Sequence, residues 1–355
     1  MESVDADVST VRGVAAAGFW DEVNALVDRA TSLDALRAHR LQLLAASLWR
    51  STGRPVPIEL RDDERRGAML AMAAPGLLRR ARAACDGRLM LMKGPEVACR
   101  YPDPAARYFG DLDLLSDDPR ATQRALVAAG FVELESPEDW VGKHHLPPLA
   151  WPGIPLAIEV HRGPKLPGWL AAPTTEELMA LAVPSATGID GLLAPAPAAH
   201  ALMLAAHGWA HRPLGRLGDL IDVAAMLTED ERAPAAELAH RWGWSRMWTT
   251  TLKSADALLR HGRATLPLRT WGRYLNQVRD LSVIEFHVIQ IAGPLFAASL
   301  RELPGALGGV VAQTASPWPG ETWGAKLTRS RKAVVHAFSD QADHDRQVGH
   351  NPWRR

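Results

Sequence analysis

Two short runs that alternate acidic with aliphatic residues constrain the fold of this chain most. In the run Asp-Leu-Asp-Leu-Leu, an extended strand presents Asp111 and Asp113 on one face. In a later run the same period places Glu159 and His161 on one face and aliphatic residues on the other. If the two strands are neighbours, three carboxylates converge on one polar surface of a sheet.

The chain around these two runs has the pattern of a small α+β unit. An apolar run at 89–92, ended by Lys93 and Gly94, is typical of a strand buried on both faces. The other predicted elements are helices over residues 95–100 and 119–128 and strands over residues 111–115, 131–134, 144–151 and 156–161.

Helical patterns flank this unit on both sides, so we predict an α+β fold with a small mixed β-sheet core. The predicted regions are an N-terminal helical region (1–84), the core (85–165), a C-terminal helical region (166–300), and a loop-rich segment with a polar tail (301–355). Within the last two regions we predict a long helical stretch over 200–227, a core helix over 281–300 and turns over 305–319.

Composition excludes several classes of protein. The 355 residues carry 40 Lys and Arg against 40 Asp and Glu, and this balance disfavours a nucleic-acid-coating protein. Cys85 and Cys99 match neither a disulfide framework nor a zinc spacing. The first residues do not resemble a secretory signal, and no stretch is predicted to span a membrane. We therefore expect a cytoplasmic protein without membrane contact.

Three converging carboxylates require positive charge between them. Negative groups a few ångströms apart repel strongly, and Mg²⁺ is the hard cation that takes oxygen ligands and brings phosphates with it. Two such ions can clamp the attacking and leaving oxygens of an in-line displacement at phosphorus. The alternative is a chance Asp-x-Asp pair, which a chain of this length contains at ordinary aspartate usage.

These motifs together resemble an uncharacterised nucleotidyltransferase family of the polymerase-β-like nucleotidyltransferase superfamily. The resemblance is carried by Lys93-Gly94, Tyr101-Pro102-Asp103-Pro104, Arg107-Tyr108-Phe109-Gly110-Asp111-Leu112-Asp113-Leu114-Leu115, His144-His145 and Ile158-Glu159-Val160-His161-Arg162. It covers residues 85–165 well and continues more weakly through His207, His211 and Asp219-Leu220.

The resemblance implies roles for the acidic residues. Asp111 and Asp113 would ligate two Mg²⁺ ions and, through them, the phosphates of an NTP. Glu159 stands where the superfamily usually has a third carboxylate, an Asp, which would ligate the catalytic metal and help to activate the acceptor hydroxyl.

Basic and glycine residues near the acidic ones are candidates for phosphate binding. Gly94 permits close backbone approach, and Lys93 offers a point charge for a triphosphate. The alternative for the charged members is an ordinary solvated side chain. The nucleotide- or phosphate-binding candidates are Lys93, Gly94, Arg107, Gly110 and Arg162.

Five histidines are candidates for an acceptor cleft. Two of them, His207 and His211, are four residues apart on one stripe of a predicted helix. Plain packing is the alternative for each, and a zinc site at the helical pair lacks an evident third ligand. The candidates are His144, His145, His161, His207 and His211.

The leading hypothesis is a Mg²⁺-dependent nucleotidyltransferase. It would transfer an NMP from an NTP to an acceptor hydroxyl on a small molecule, a modified peptide or a protein, and release pyrophosphate. One alternative is a non-catalytic nucleotide- or partner-binding protein that keeps the fold. Another is a kinase or hydrolase that uses the same metals.

Overall fold

The computed structural model describes residues 18–136, 140, 143–259, 263, 265–271, 278–279, 283–317 and 321–337. The predicted polar tail at 339–355 lies outside these residues. Helices precede the first strand, as predicted. They are α1 (Phe19–Val27), α2 (Leu33–Ala38), α3 (Gln42–Ser51) and α4 (Arg61–Ala84).

The central part of the chain alternates strands with short helices. The elements are β1 (Leu89–Leu91), α5 (Pro95–Ala98), β2 (Asp111–Ser116), α6 (Pro119–Ala128), β3 (Val132–Glu133), β4 (Leu149–Ala150), β5 (Ala157–His161), α7 (Thr175–Ala180), β6 (Ala182–Pro184) and β7 (Leu192–Pro195). Helix α6 begins where the side chain of Asp118 accepts a hydrogen bond from the N–H of Ala121, with Pro119 in the first turn.

The strands form one mixed sheet. Its order is β3-β4-β5-β2-β1-β7-β6 among the described residues. Strand β2 is central, antiparallel to β1 and parallel to β5, and β1 is parallel to β7. The residues of the two acidic runs therefore lie on adjacent strands in the middle of the sheet.

The two faces of the sheet differ in what covers them. Leu112 and Leu114 of β2 and Ile158 of β5 pack in a buried cluster with apolar residues of α4 and α6. On the opposite face, Leu115 packs with methionines of β1 and with residues of α7 and Met203. Because side chains alternate along β2, Asp111 and Asp113 share the face of Leu115.

Helices follow the last strand to the end of the described chain. They are α8 (Pro197–His211), α9 (Leu217–Met226), α10 (Glu229–Arg241), α11 (Ser245–Leu259), α12 (Leu266–Trp271), α13 (Val283–Ala297), α14 (Leu303–Ala315) and α15 (Trp323–Ala337). A large buried cluster joins α8–α11 to the N-terminal helices. Among the described residues, no helix has the length and apolarity needed to cross a membrane.

The structure differs from the sequence prediction at three places. The stretch at 200–227 is two helices rather than one, because Pro213 and Gly215 interrupt it. Strands β6 and β7 extend the sheet to Pro195, beyond the predicted core boundary at 165. Residues 303–315 form a helix where glycines predicted turns. The α+β class with flanking helices agrees with the prediction.

Candidate active site

The register between β2 and β5 brings the acidic residues together. Asp113 is paired with Glu159 directly across the parallel ladder, and Asp111 is paired with Ala157. Asp113 is buried, whereas Asp111 and Glu159 are half-buried. The two runs that alternate in the sequence are therefore neighbours in the fold, with their polar faces on the same side of the sheet.

His161 lies inside the acidic cluster. Its Nε2 atom is 2.8 Å from Oδ1 of Asp113 and 3.6 Å from Oε2 of Glu159. One ligand atom from each of Asp113, Glu159 and His161 lies within 4.8 Å of the others. The sequence placed His161 among acceptor-cleft candidates, but the structure makes it a neighbour of both carboxylates.

This donor set fits a divalent cation. Within the described residues, Nδ1 of His161 is buried without a hydrogen-bond partner, although buried polar atoms normally have one, and Oδ2 of Asp113 has the ammonium group of Lys93 beside it. Carboxylate oxygens suit Mg²⁺ or Mn²⁺, and an imidazole nitrogen is a common transition-metal ligand. The residues that can hold a cation here are Asp113, Glu159 and His161, with Asp111 on the same face.

Lys93 supplies positive charge at the end of β1. Its Nζ atom lies 3.1 Å from Oδ2 of Asp113 and donates a hydrogen bond to Nε2 of His207 at 3.2 Å. The next residue, Gly94, has φ of 66°, and a Cβ at this position would lie 3.3 Å from the carbonyl oxygen of Asp111. Glycine is thus required where the chain leaves β1 and passes close to β2.

The cluster shifts the ionisation of its members. Burial would raise the pKa of Asp113, but Lys93 and His161 outweigh burial and hold that pKa well below its usual value. Burial would lower the pKa of His161, but contacts with Asp113 and Glu159 raise it to about 9. Burial, and then the charge of Asp113, raise the pKa of Asp111 to about 6. Of the two aspartates, Asp113 is therefore the one that stays ionised more readily.

His144 and His145 lie along the outer side of β5. Nε2 of His145 is 3.4 Å from Oε2 of Glu159, and its Nδ1 donates to the carbonyl oxygen of Leu146 at 2.7 Å. The ring of His144 is 5.4 Å from that of His161. Burial is the main cause that lowers the pKa of both, to about 3 for His144. His145 therefore faces Glu159 from the outer side of the cluster.

His207 and His211 extend the site along α8. Their ring centroids are 4.5 Å apart, and Nδ1 of His211 lies 3.5 Å from Nζ of Lys165. Burial lowers the pKa of both, to about 3 for His211, and Lys93 and Lys165 lower these pKa values further. Lys93, Lys165, His161 and His207 line one small cavity of about 20 Å³.

Two arginines proposed as phosphate ligands are engaged elsewhere. The guanidinium of Arg107 donates to both carboxylate oxygens of Asp222, at 2.8 and 2.7 Å, and to the carbonyl oxygen of Gly94 at 3.0 Å. Arg162 is exposed and donates to the carbonyl oxygen of Lys143. It follows His161 on β5, so strand alternation points it away from the carboxylates.

A comparison with protein-family models matches residues 23–260, more than half of the chain, to a model described as an uncharacterised nucleotidyltransferase. The chain belongs to this nucleotidyltransferase family. Its enzyme class is therefore that of the transferases of phosphorus-containing groups. Among curated proteins and among solved structures, no significant match is found.

The nucleotidyltransferase also contains site residues that sequence reasoning missed. One of them is Lys165, which lies four residues after the end of β5. The sequence signal that could have identified it was a basic residue just beyond a strand that carries an acidic residue. Asp222 and Tyr101 form a buried group with Arg107, in which the hydroxyl of Tyr101 donates to Asp222 at 2.7 Å. Asp222 is 115 residues from Arg107 in the sequence, and no local pattern gave a signal for this contact.

Proposed function

We propose that this nucleotidyltransferase uses Mg²⁺ and an NTP to transfer an NMP to an acceptor hydroxyl, with release of pyrophosphate. One observation carries the proposal: Asp113 is paired across parallel strands with Glu159, with Asp111 on the same face. Family membership indicates the class of reaction, which is nucleotidyl transfer. The paired carboxylates are suited to bind the metal ions that such a reaction can use.

The carboxylates of Asp111, Asp113 and Glu159 are the proposed ligands of the metal. When bound, Mg²⁺ supplies positive charge that stabilises the charge developing on the phosphoryl oxygens. His161 lies against two of these ligands, so it orients them and keeps their charge compensated.

Lys93 and Lys165 are the proposed partners of the triphosphate. Both line the small cavity beside the carboxylates, and Lys93 is only partly exposed. An ammonium group in such a setting is a strong phosphate partner because its interactions are little screened by water. Gly94 would act together with the two lysines, because a residue without a side chain lets a phosphate group come close to its backbone.

The chemical step is an in-line displacement at the α-phosphorus. The acceptor oxygen forms a bond to this phosphorus, and the bond to the bridging oxygen of the β-phosphate breaks. The bonding electron pair leaves with pyrophosphate, and the hydroxyl proton passes to Glu159, whose Oε2 faces Nε2 of His145. Positioning and charge stabilisation are the main contributions of the protein.

The position of the transferred label tests the reaction class. Purified protein is incubated with cell extract, Mg²⁺ and an NTP that is labelled at either the α- or the γ-phosphate. We expect α-label on an acceptor and γ-label in pyrophosphate. Transfer of the γ-label to an acceptor would indicate a kinase, and metal-dependent NTP binding without any transfer would favour the non-catalytic alternative.

Asp113→Asn tests the role of the carboxylate pair. Because this change removes a proposed metal ligand, we expect α-label transfer to fall by at least about 100-fold. Asp117→Asn is the matched control, since Asp117 follows the opposite end of β2 and pairs with Arg88. Equal loss in both variants, or in neither, would contradict the proposed site.

A further inference from the structure

A larger cavity of about 710 Å³ opens next to the carboxylate site. It lies between the loop after β5, the end of α8, and helices α13 and α14. Pockets for small molecules usually measure about 300–1,000 Å³. We call this space the outer cavity, and its lining includes Lys165, Trp169, Trp209, Gln290, Gly305 and Gly309.

The outer cavity begins where the carboxylate site ends. Lys165 lines both the outer cavity and the small cavity that Lys93 and His161 line. Its Nζ atom contacts His211, and Gln290 donates a hydrogen bond to the carbonyl oxygen of His211 at 2.9 Å. A molecule in the outer cavity would therefore lie against Lys165, on the side of this residue away from the small cavity.

Two glycines of α14 keep one wall of the outer cavity open. Gly305 and Gly309 are four residues apart, so they lie on the same side of the helix. A Cβ at either position would meet no atom of the described residues within 4 Å, although glycine in a helix costs about 1 kcal/mol relative to alanine. Gly293 differs, because its Cβ would lie 3.1 Å from Cγ of Pro213. Close packing thus explains why residue 293 is a glycine, but it does not explain why residues 305 and 309 are glycines.

Apart from Lys165, Gln290 and Glu302, the side chains that line the outer cavity are mostly apolar. Pro213 and Pro294 contribute to the walls, and Trp169 is half-buried there. The indole N–H of Trp209 donates to Oγ1 of Thr251 at 2.7 Å, so its polar atom is already satisfied. Such a surface favours a flat ring system over a flexible polar chain.

We propose that the outer cavity binds the acceptor, a small hydroxyl-bearing molecule with a flat ring system. This inference rests on the proposed nucleotidyl transfer. The family match ends at residue 260, whereas α13 and α14 lie beyond it. An NTP is the substrate that members of the family would share, so residues within the family match should bind it. The wall formed by α13 and α14 lies outside the match and is therefore better suited to the acceptor.

Substitutions on α14 separate acceptor binding from nucleotide binding. Gly305→Leu and Gly309→Leu add side chains to the outer cavity. Gly308→Leu is the matched control, because Gly308 lies on the same helix with equally open space and does not line the cavity. Each full-length protein is given α-labelled ATP, Mg²⁺ and the ultrafiltered small-molecule fraction of a cell extract, and Mn²⁺-ATP affinity is measured by titration calorimetry.

We expect wild type and Gly308→Leu to label a small molecule, and both cavity variants to do so at least about tenfold less. The affinity for Mn²⁺-ATP should agree within about twofold among all four proteins. Equal labelling by all four, or no labelling of any small molecule by a wild type that binds Mn²⁺-ATP, would overturn the inference. Loss of Mn²⁺-ATP binding in the cavity variants alone would assign the cavity to the nucleotide. A wild type that binds none of the four common NTPs with Mn²⁺ would instead overturn the proposed function.

Discussion

Gly94 is the residue on which the geometry around Lys93 depends. Its φ of 66° and its close approach to the Asp111 carbonyl let the chain turn directly after β1. This turn leaves Nζ of Lys93 within 3.1 Å of Asp113. A side chain at position 94 would push the turn that carries Lys93 away from β2, which carries Asp113.

Gly94→Ala should therefore lower both stability and activity. We expect the free energy of unfolding in urea to fall by about 1–3 kcal/mol, because the variant has both backbone strain and a close contact. Gly53→Ala is the control, since Gly53 also has positive φ but open space around it, and it should cost only about 1 kcal/mol. Label transfer should fall in Gly94→Ala alone, and equal effects in the two variants would refute the argument.

Side-chain alternation made part of the site predictable from the sequence. It identified Asp111, Asp113 and Glu159 because strand parity is a local property. It could not assign Arg107, since only the fold brings Asp222 of α9 within reach of this guanidinium. Lys165 was missed although a basic residue just beyond an acidic strand was a local signal, and its contact with His211 of α8 depends on the fold.

At the scale of elements, a buried ion pair connects the core to the C-terminal helices. Arg107, in the loop before β2, pairs with Asp222 of α9, and both side chains are nearly inaccessible to solvent. Burial would lower the pKa of Arg107, but Asp222 outweighs burial and raises it. Because Arg107 also donates to the carbonyl oxygen of Gly94, this pair supports the turn beside the site.

Arg107→Met is expected to destabilise the protein by about 3–5 kcal/mol, because it leaves Asp222 buried without its cation. Urea unfolding measures the change. Arg88→Met removes an arginine from the exposed pair with Asp117 and serves as the control, with a much smaller expected loss. A loss as small for Arg107→Met as for Arg88→Met would show that the buried pair does not stabilise this connection.

Predictions at the element scale failed where local signals conflict with packing. Strands β6 and β7 lie in a proline- and alanine-rich stretch, but β7 forms a parallel pair with β1. Helix α14 contains three glycines, but its contacts with α13 keep it helical. In both cases, contacts distant in sequence outweigh local propensity.

At the scale of the whole molecule, one sheet connects the predicted regions. Helix α8 follows β7 directly and brings His200 against β1, where its Nε2 donates to the carbonyl oxygen of Met92 at 2.6 Å. His200 is fully buried, and burial lowers its pKa from 6.5 to about 4. The folded protein therefore contains this histidine in its neutral form.

His200 should contribute to the destabilisation of the protein by acid. Below pH 6.5 this side chain takes up a proton in the unfolded chain, whereas in the folded chain it does so only near pH 4. The share of His200 in the free energy of unfolding should therefore decrease by about 3 kcal/mol as the pH falls across this interval, and the other histidines whose pKa values are lowered by burial add to the decrease. His200→Gln should reduce that decrease in urea unfolding, with His240→Gln, an exposed position, as the control. Identical pH profiles for wild type and His200→Gln would contradict the assignment.

The central claim is that Asp113 and Glu159 together hold the metal that binds the NTP. Anomalous diffraction from crystals grown with Mn²⁺ and a non-hydrolysable NTP analogue tests it most directly. We predict an anomalous peak about 2.1 Å from a carboxylate oxygen of both Asp113 and Glu159, in contact with the triphosphate. A triphosphate bound without Mn²⁺ at these two carboxylates, or Mn²⁺ bound only elsewhere, would contradict the account.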